Sequence, residues 1–335
     1  MTKKKISKIP CNPKKLIFQF KNLLTPKSCI KSKRPPILSI SKATKPFVKS
    51  FSPISTNSGT LSLIQSFLIP FLSETATKKT GLDEIRDLLI NHVQDADRIN
   101  LVLTLLSETG DHQKATGKRE SMKVIGLMAE VFEDRLAPYL PKILNIMSKK
   151  LKENDPQVHD TLSASLGNLV NFTLRNLDMD TAYKSLESIF QMLFQLCSKG
   201  NRYTQIGAAM SITKTIQSCS FEFLYLMVDD ISSKIIEVLR QHTCKAHIQL
   251  FECLLSLILV FEGNSDKLHE SAKNILPATI DNLTNGDWNV RKIAVEVIYT
   301  LSVIIPEAII PYKNEILEVL GHCRFDKVWL NMREY

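Results

Sequence analysis

A chain of 335 residues, 44% apolar and 23% charged, holds enough apolar surface for a large core, either as one elongated array or as two compact units. With only 11 glycines, 14 prolines and 7% aromatic residues, it has little of the turn and strand chemistry that a sheet protein uses, so helices are expected. The formal net charge of +9 is unevenly placed: residues 1–60 carry 14 Lys and Arg and no acid, while the remainder carries 29 bases against 34 acids.

The first segment, residues 1–60, is rich in Ser, Thr, Pro and Lys, and the first acid of the chain is Glu74. Low hydrophobicity with charge of one sign predicts a basic disordered tail. Such a tail suits a polyanionic partner: nucleic acid, anionic lipid or an acidic protein surface. It lacks the interleaved aromatics of a base-stacking surface. The first 25 residues have no continuous apolar core, which argues against a secretory signal. Leu16-Ile17-Phe18-Gln19-Phe20-Lys21-Asn22-Leu23-Leu24 is mildly amphipathic, as a mitochondrial presequence would be; yet Arg34 is the tail's only Arg, whereas presequences are Arg-rich. Ser7-Lys8-Ile9-Pro10, preceded by Lys3-Lys4-Lys5, resembles the Ser-x-Ile-Pro signal by which proteins dock on microtubule end-binding proteins. That resemblance implies such a protein as a partner. The plainer alternative is a solvated tail with an incidental match.

The second segment, residues 61–335, is repetitive. Stretches beginning at Lys118, Val158, Tyr203, Ala246 and Val290 align without gaps, and a sixth start falls at Met332. Their spacings of 40, 45, 43, 44 and 42 residues match the ~40–47 of HEAT and armadillo units. Each stretch reads as the second helix of a hairpin. In the last full copy Val290, Ile293, Ala294, Val297, Ile298 and Leu301 follow the i, i+3, i+4, i+7 pattern. Small residues at Gly126, Ala164, Gly207, Ala208 and Ala294 would let neighbouring helices approach closely. First helices are expected over Leu136–Leu151, Tyr183–Cys197, Ile231–Gln241, Ala272–Leu283 and Tyr312–His322, with Pro138, Pro141, Pro277 and Pro311 marking starts or approaches. Asp229-Asp230 reads as an acidic helix start that suits the macrodipole. The expected fold is therefore all-α: a right-handed α-solenoid of about six HEAT/armadillo-type hairpins sharing one continuous core.

The body offers little for catalysis. No Gly-rich phosphate loop, H-E-x-x-H or G-x-S-x-G occurs, so no enzyme, small-molecule substrate or cofactor is expected. His242-x-Cys244-x-x-His247 is the one metal-like cluster, and zinc needs three or four ligands. A helix-end His with buried thiols explains it better, and no metal site is expected. The seven cysteines are odd in number and irregular in spacing, which fits a reducing compartment. Apolar stretches fall well short of the ~18 residues needed to span a membrane.

Beyond periodicity, residues ~82–335 resemble the HEAT-repeat amino-terminal domain of the plant Tortifolia/Spiral microtubule-associated proteins, which is related in plan to TOG tubulin-binding domains. The resemblance rests on Gln205-Ile206-Gly207-Ala208-Ala209, on Asp287-Trp288-Asn289-Val290-Arg291-Lys292, on Arg324-Phe325-Asp326-Lys327-Val328, and on the Lys-rich stretch Pro141–Asp155. Two departures accompany it. Trp329-Leu330-Asn331 places one residue too many before Met332-Arg333-Glu334, and the sequence stops at Tyr335, leaving the last repeat incomplete. The resemblance implies a microtubule- or tubulin-binding protein of the cytoplasm and cytoskeleton. It also implies that the short turns inside the hairpins are the contact surface. The bases there are Lys118, Arg119, Lys152, Arg202, Lys245, Arg291, Lys292 and Lys327, with Trp288 as an aromatic anchor beside them. Asp287 and Arg291 are also spaced for a structural pair, and Trp288 for covering the gap between hairpins. The alternative is a HEAT adaptor for transport, actin or the nuclear envelope, without tubulin binding.

Overall fold

The computed structural model describes residues 57–72, 81–108, 115–262 and 265–323. Among them every regular element is a helix: α1 Asn57–Leu72, α2 Leu82–His92, α3 Ala96–Glu108, α4 Ala115–Phe132, α5 Leu140–Leu151, α6 Pro156–Asn168, α7 Met179–Lys199, α8 Arg202–Ser218, α9 Phe221–Leu239, α10 His247–Val260, α11 Ser265–Asp281, α12 Trp288–Ile304, the short α13 Pro306–Ile309 and α14 Lys313–Cys323. None is long and apolar enough to cross a membrane. The tail, the Ser7-Lys8-Ile9-Pro10 motif, Lys327 and the repeat start at Met332 lie outside the described residues.

The helices pair as α1/α2, α5/α6, α7/α8, α9/α10 and α11/α12. Second helices α2, α4, α6, α8, α10 and α12 form one row, each packed on the next; α3, α5, α7, α9, α11 and α14 form the other. This is the right-handed α-solenoid that the repeat spacing predicts, with the apolar core continuous between the rows. Its helices start where the sequence offers a capping side chain. Asp155 accepts from the Gln157 N–H at 2.9 Å, Asp178 from Thr181 at 3.0 Å, Asn201 from Thr204 at 3.0 Å and Asp287 from Asn289 at 2.9 Å. Each satisfies one of the orphan donors of a first turn.

Three first helices begin earlier than the sequence reading places them, α7 by four residues, at Met179 rather than Tyr183. α9 starts at Phe221 rather than Ile231, so Asp229 and Asp230 lie mid-helix and do not begin it. Asp229 instead accepts from Lys267 and, at 2.6 Å, from the Ser271 hydroxyl, tying α9 to α11. α11 starts at Ser265 rather than Ala272 and runs through Pro277. A proline has no N–H to give its own turn, but tertiary packing of Leu268, Ala272, Ile275 and Leu276, all fully buried, carries the helix past it.

The second helices pack unusually tightly. A β-carbon on Gly126 would lie 3.0 Å from the Ser165 hydroxyl, one on Gly167 2.8 Å from that of Ser218, and one on Gly207 2.7 Å from Cγ of His159. Ala208 and Ala294 are fully buried in the same row. Ala164 is the exception: it is exposed, and its neighbour Ser165 makes the contact expected of it. Between α4 and α5 the chain turns through Glu133, whose φ of 48° lies in the left-handed region.

Candidate functional site

The turns inside the hairpins line one edge of the solenoid, and neighbouring turns hold one another. Lys118 of α4 reaches the next turn to pair with Glu153 at 2.8 Å. Arg119 donates to the Gln157 side chain, and at 3.4 Å to Thr116. Ser198 at the end of α7 bonds Gln241 at 3.1 Å. Gln205, only 2% exposed, is the central fixture. Its amide donates to the Thr243 carbonyl at 3.2 Å, and its carbonyl accepts the Lys245 N–H at 2.7 Å. One buried side chain thus holds the turn that carries Lys245. Sequence reading took Gln205 only as part of a motif. The signal that marks it is a lone amide among Gly207, Ala208 and Ala209 at the start of a core helix.

The bases expected on this edge divide by partner. Lys118 and Arg119 are engaged across the rungs. Arg291 turns back to donate to the Asn285 carbonyl at 2.7 Å and the Gly286 carbonyl at 3.1 Å. Asp287, its expected partner, caps α12. Lys292 lies 3.9 Å from Glu296. Lys152, Arg202 and Lys245 are exposed, and their side-chain cations meet no acid among the described residues. Trp288 opens α12 with 38% of its surface exposed. Lys149 and Lys199, which the sequence reading passed over, are exposed beside them. Lys152 and Lys199 line a cleft of about 500 Å³ together with Met192, Leu196, Asn201 and Thr204.

Little on this edge is reactive. Burial pushes the Cys253 thiol up to about 12, and it lies 3.2 Å from both the Thr213 hydroxyl and the Ala209 carbonyl. Burial likewise raises Cys197 and Cys244. His247 is held below its usual range by burial and by Lys245, while His242 is exposed. Among the described residues no three His, Cys, Asp or Glu side chains converge as metal ligands. The chemistry available is electrostatic: cations at the rim, apolar lining between rungs, and backbone held still beneath them.

Against known proteins, the family profile described as TORTIFOLIA1 N-terminal matches residues 67–334. TORTIFOLIA1-like protein 2 of Arabidopsis thaliana is 26% identical over 77% of this chain and 30% of its own length. The microtubule-associated protein TORTIFOLIA1 of Arabidopsis thaliana is 23% identical over 82% of this chain and 32% of its own length. The chain thus spans about a third of the length of these relatives. A crystal structure of Kap121p bound to RanGTP overlays with a TM-score of 0.44 at 13% identity, covering 82% of this chain and 28% of that one.

Proposed function

Since the chain belongs to the TORTIFOLIA1 N-terminal family, we propose that it is a microtubule-binding protein that works without catalysis, its turn edge contacting tubulin and its basic tail adding electrostatic avidity. The observation that carries this reading is the row of spare cations. Lys152, Arg202 and Lys245 sit on three successive rungs and meet no acid among the described residues. A surface cation without a partner retains its full attraction for an outside anion, and several in a row raise the rate and register of encounter. The name of the relative TORTIFOLIA1 supplies the class of polymer. The tail, with 14 bases and no acid, would act as a second, flexible contact that raises effective concentration. The Ser7-Lys8-Ile9-Pro10 motif would add a microtubule end-binding protein as a partner, and cytoplasmic microtubules are the expected location.

The test is co-sedimentation with stabilised microtubules across a salt series. The full chain is compared with Lys152→Glu/Arg202→Glu/Lys245→Glu. About tenfold weaker pelleting of the triple variant at low salt, a loss of ~1.4 kcal/mol, supports the edge. The gap should narrow as salt screens the exposed charges. Equal pelleting of both proteins would remove the edge from the interface. Absence of pelleting by the full chain, together with absence of binding to free tubulin, would leave the adaptor reading in its place.

A further inference from the structure

In a stacked solenoid the two terminal rungs have one face with no neighbour, and that face is ordinarily polar. Here, among the described residues, α2 closes the row of second helices at its amino-terminal end, packed on α1 and α4. Ile85, Leu88 and Leu89 face inward and are buried. The opposite face presents Asp83, Glu84, Asp87 and Ile90 to solvent, with Ile90 44% exposed and Leu82 40% exposed at its start. Arg86, the helix's own guanidinium, is held by Glu130 at 2.6 Å. Leu82 and Ile90, standing among Asp83, Glu84 and Asp87 on a face that no described residue buries, form a surface that suits a basic amphipathic segment.

We propose that this face docks the chain's own segment Lys14–Leu24. In that segment Leu16, Ile17, Phe20, Leu23 and Leu24 recur at i, i+1, i+4, i+7 and i+8, the spacing that gathers side chains on one face of a helix. Lys14, Lys15 and Lys21 supply the opposite charge to Asp83, Glu84 and Asp87. The docked segment covers Leu82 and Ile90 and adds one more layer to the open end of the stack. The 32 residues between Leu24 and Asn57 reach across any small domain, since extended chain covers ~3.3 Å per residue. Tethering also gives the segment a millimolar-range effective concentration, so even a weak contact is populated. The inference is independent of the microtubule reading, because it concerns the isolated chain.

The experiment is zero-length carbodiimide coupling of amines to carboxylates in the full chain at low salt, on an equal mixture of isotopically light and heavy protein, with links located by mass spectrometry. Expected are links from Lys14, Lys15 or Lys21 to Asp83, Glu84 or Asp87, several-fold more abundant than links from the same lysines to Asp266 or Glu307. They should join light to light and heavy to heavy. Ile17→Asp/Phe20→Asp should reduce them several-fold. Because that substitution lies outside the solenoid, the loss would not come from an unfolded body. Links spread evenly over acids of the whole chain would overturn the proposal. So would links of mixed isotope, which assign the face to a second copy, and so would links untouched by Ile17→Asp/Phe20→Asp.

Discussion

In the row of second helices, α4, α6 and α8 approach until a methyl group has no space, as at Gly207 against His159. Along the turn edge, Lys152, Arg202 and Lys245 finish in solvent and meet no acid among the described residues. The contrast separates two kinds of requirement. The row is fixed by volume, so its residues are exchangeable only with others of the same size. The edge is set by sign of charge and by where the backbone holds it, so size matters little there. A sequence change should therefore strike stability in one place and binding in the other.

The sharpest break of that contrast is Gly207→Ala. The added methyl meets the His159 ring, and overpacking of this kind costs about 1–3 kcal/mol; the midpoint of chemical denaturation should fall accordingly. Adding His159→Ala should recover part of the loss, because the two sites share one contact. Next comes Gln205→Leu, which joins the two regions. It removes both bonds to the 243–245 turn at a cost of about 1–3 kcal/mol. It should also loosen the turn that carries Lys245, read as faster amide exchange over that turn. Asp287→Ala removes the cap of α12 and should cost about 1 kcal/mol, measured by thermal unfolding. The triple reversal of edge cations should shift stability by less than ~0.5 kcal/mol. If it shifts more, the edge is part of the fold and the comparison fails.

The smallest expected effect is one of pH. His159 is almost fully buried, its Nε2 has no hydrogen-bond partner among the described residues, and burial holds its imidazole below the usual value, against the pull of the Glu153 and Leu151 carbonyls. The fold therefore favours the neutral ring. As pH falls through about 6.5 the unfolded chain takes up this proton first. Stability is complete above that pH, declines below it, and levels off once pH passes beneath the depressed folded value. A His159→Gln variant should show a flatter dependence over that window than the wild type, by denaturant midpoints at successive pH values.

The second helices were legible because two signals coincide in them. Small residues and apolar periodicity repeat at near-constant spacing, and polar turns such as Asn154-Asp155-Pro156 and Gly286-Asp287 precede them. First helices were harder. α9 opens with Phe221, Phe223 and Leu224, which reads as plain apolar chain, and the first obvious acids lie mid-helix at Asp229 and Asp230. In α11 the eye stops at Pro277, which local chemistry marks as a boundary and tertiary packing overrides. At the edge, residue type told which side chains were basic. It could not tell that Glu153 and Gln157, 35 and 38 residues from Lys118 and Arg119, would occupy two of them.

The close contact of Gly207 with His159 has a metrical consequence. Packed helices stand about 8–10 Å apart, and a row that admits no extra methyl has that interval fixed at its short end. The turns above inherit it. Lys152, Arg202 and Lys245 are then graduations on a ruler, spaced by the bulk of the helices beneath them and not by any reach of their own. A partner with anions at that interval would engage all of them together; one with a different interval would meet them singly.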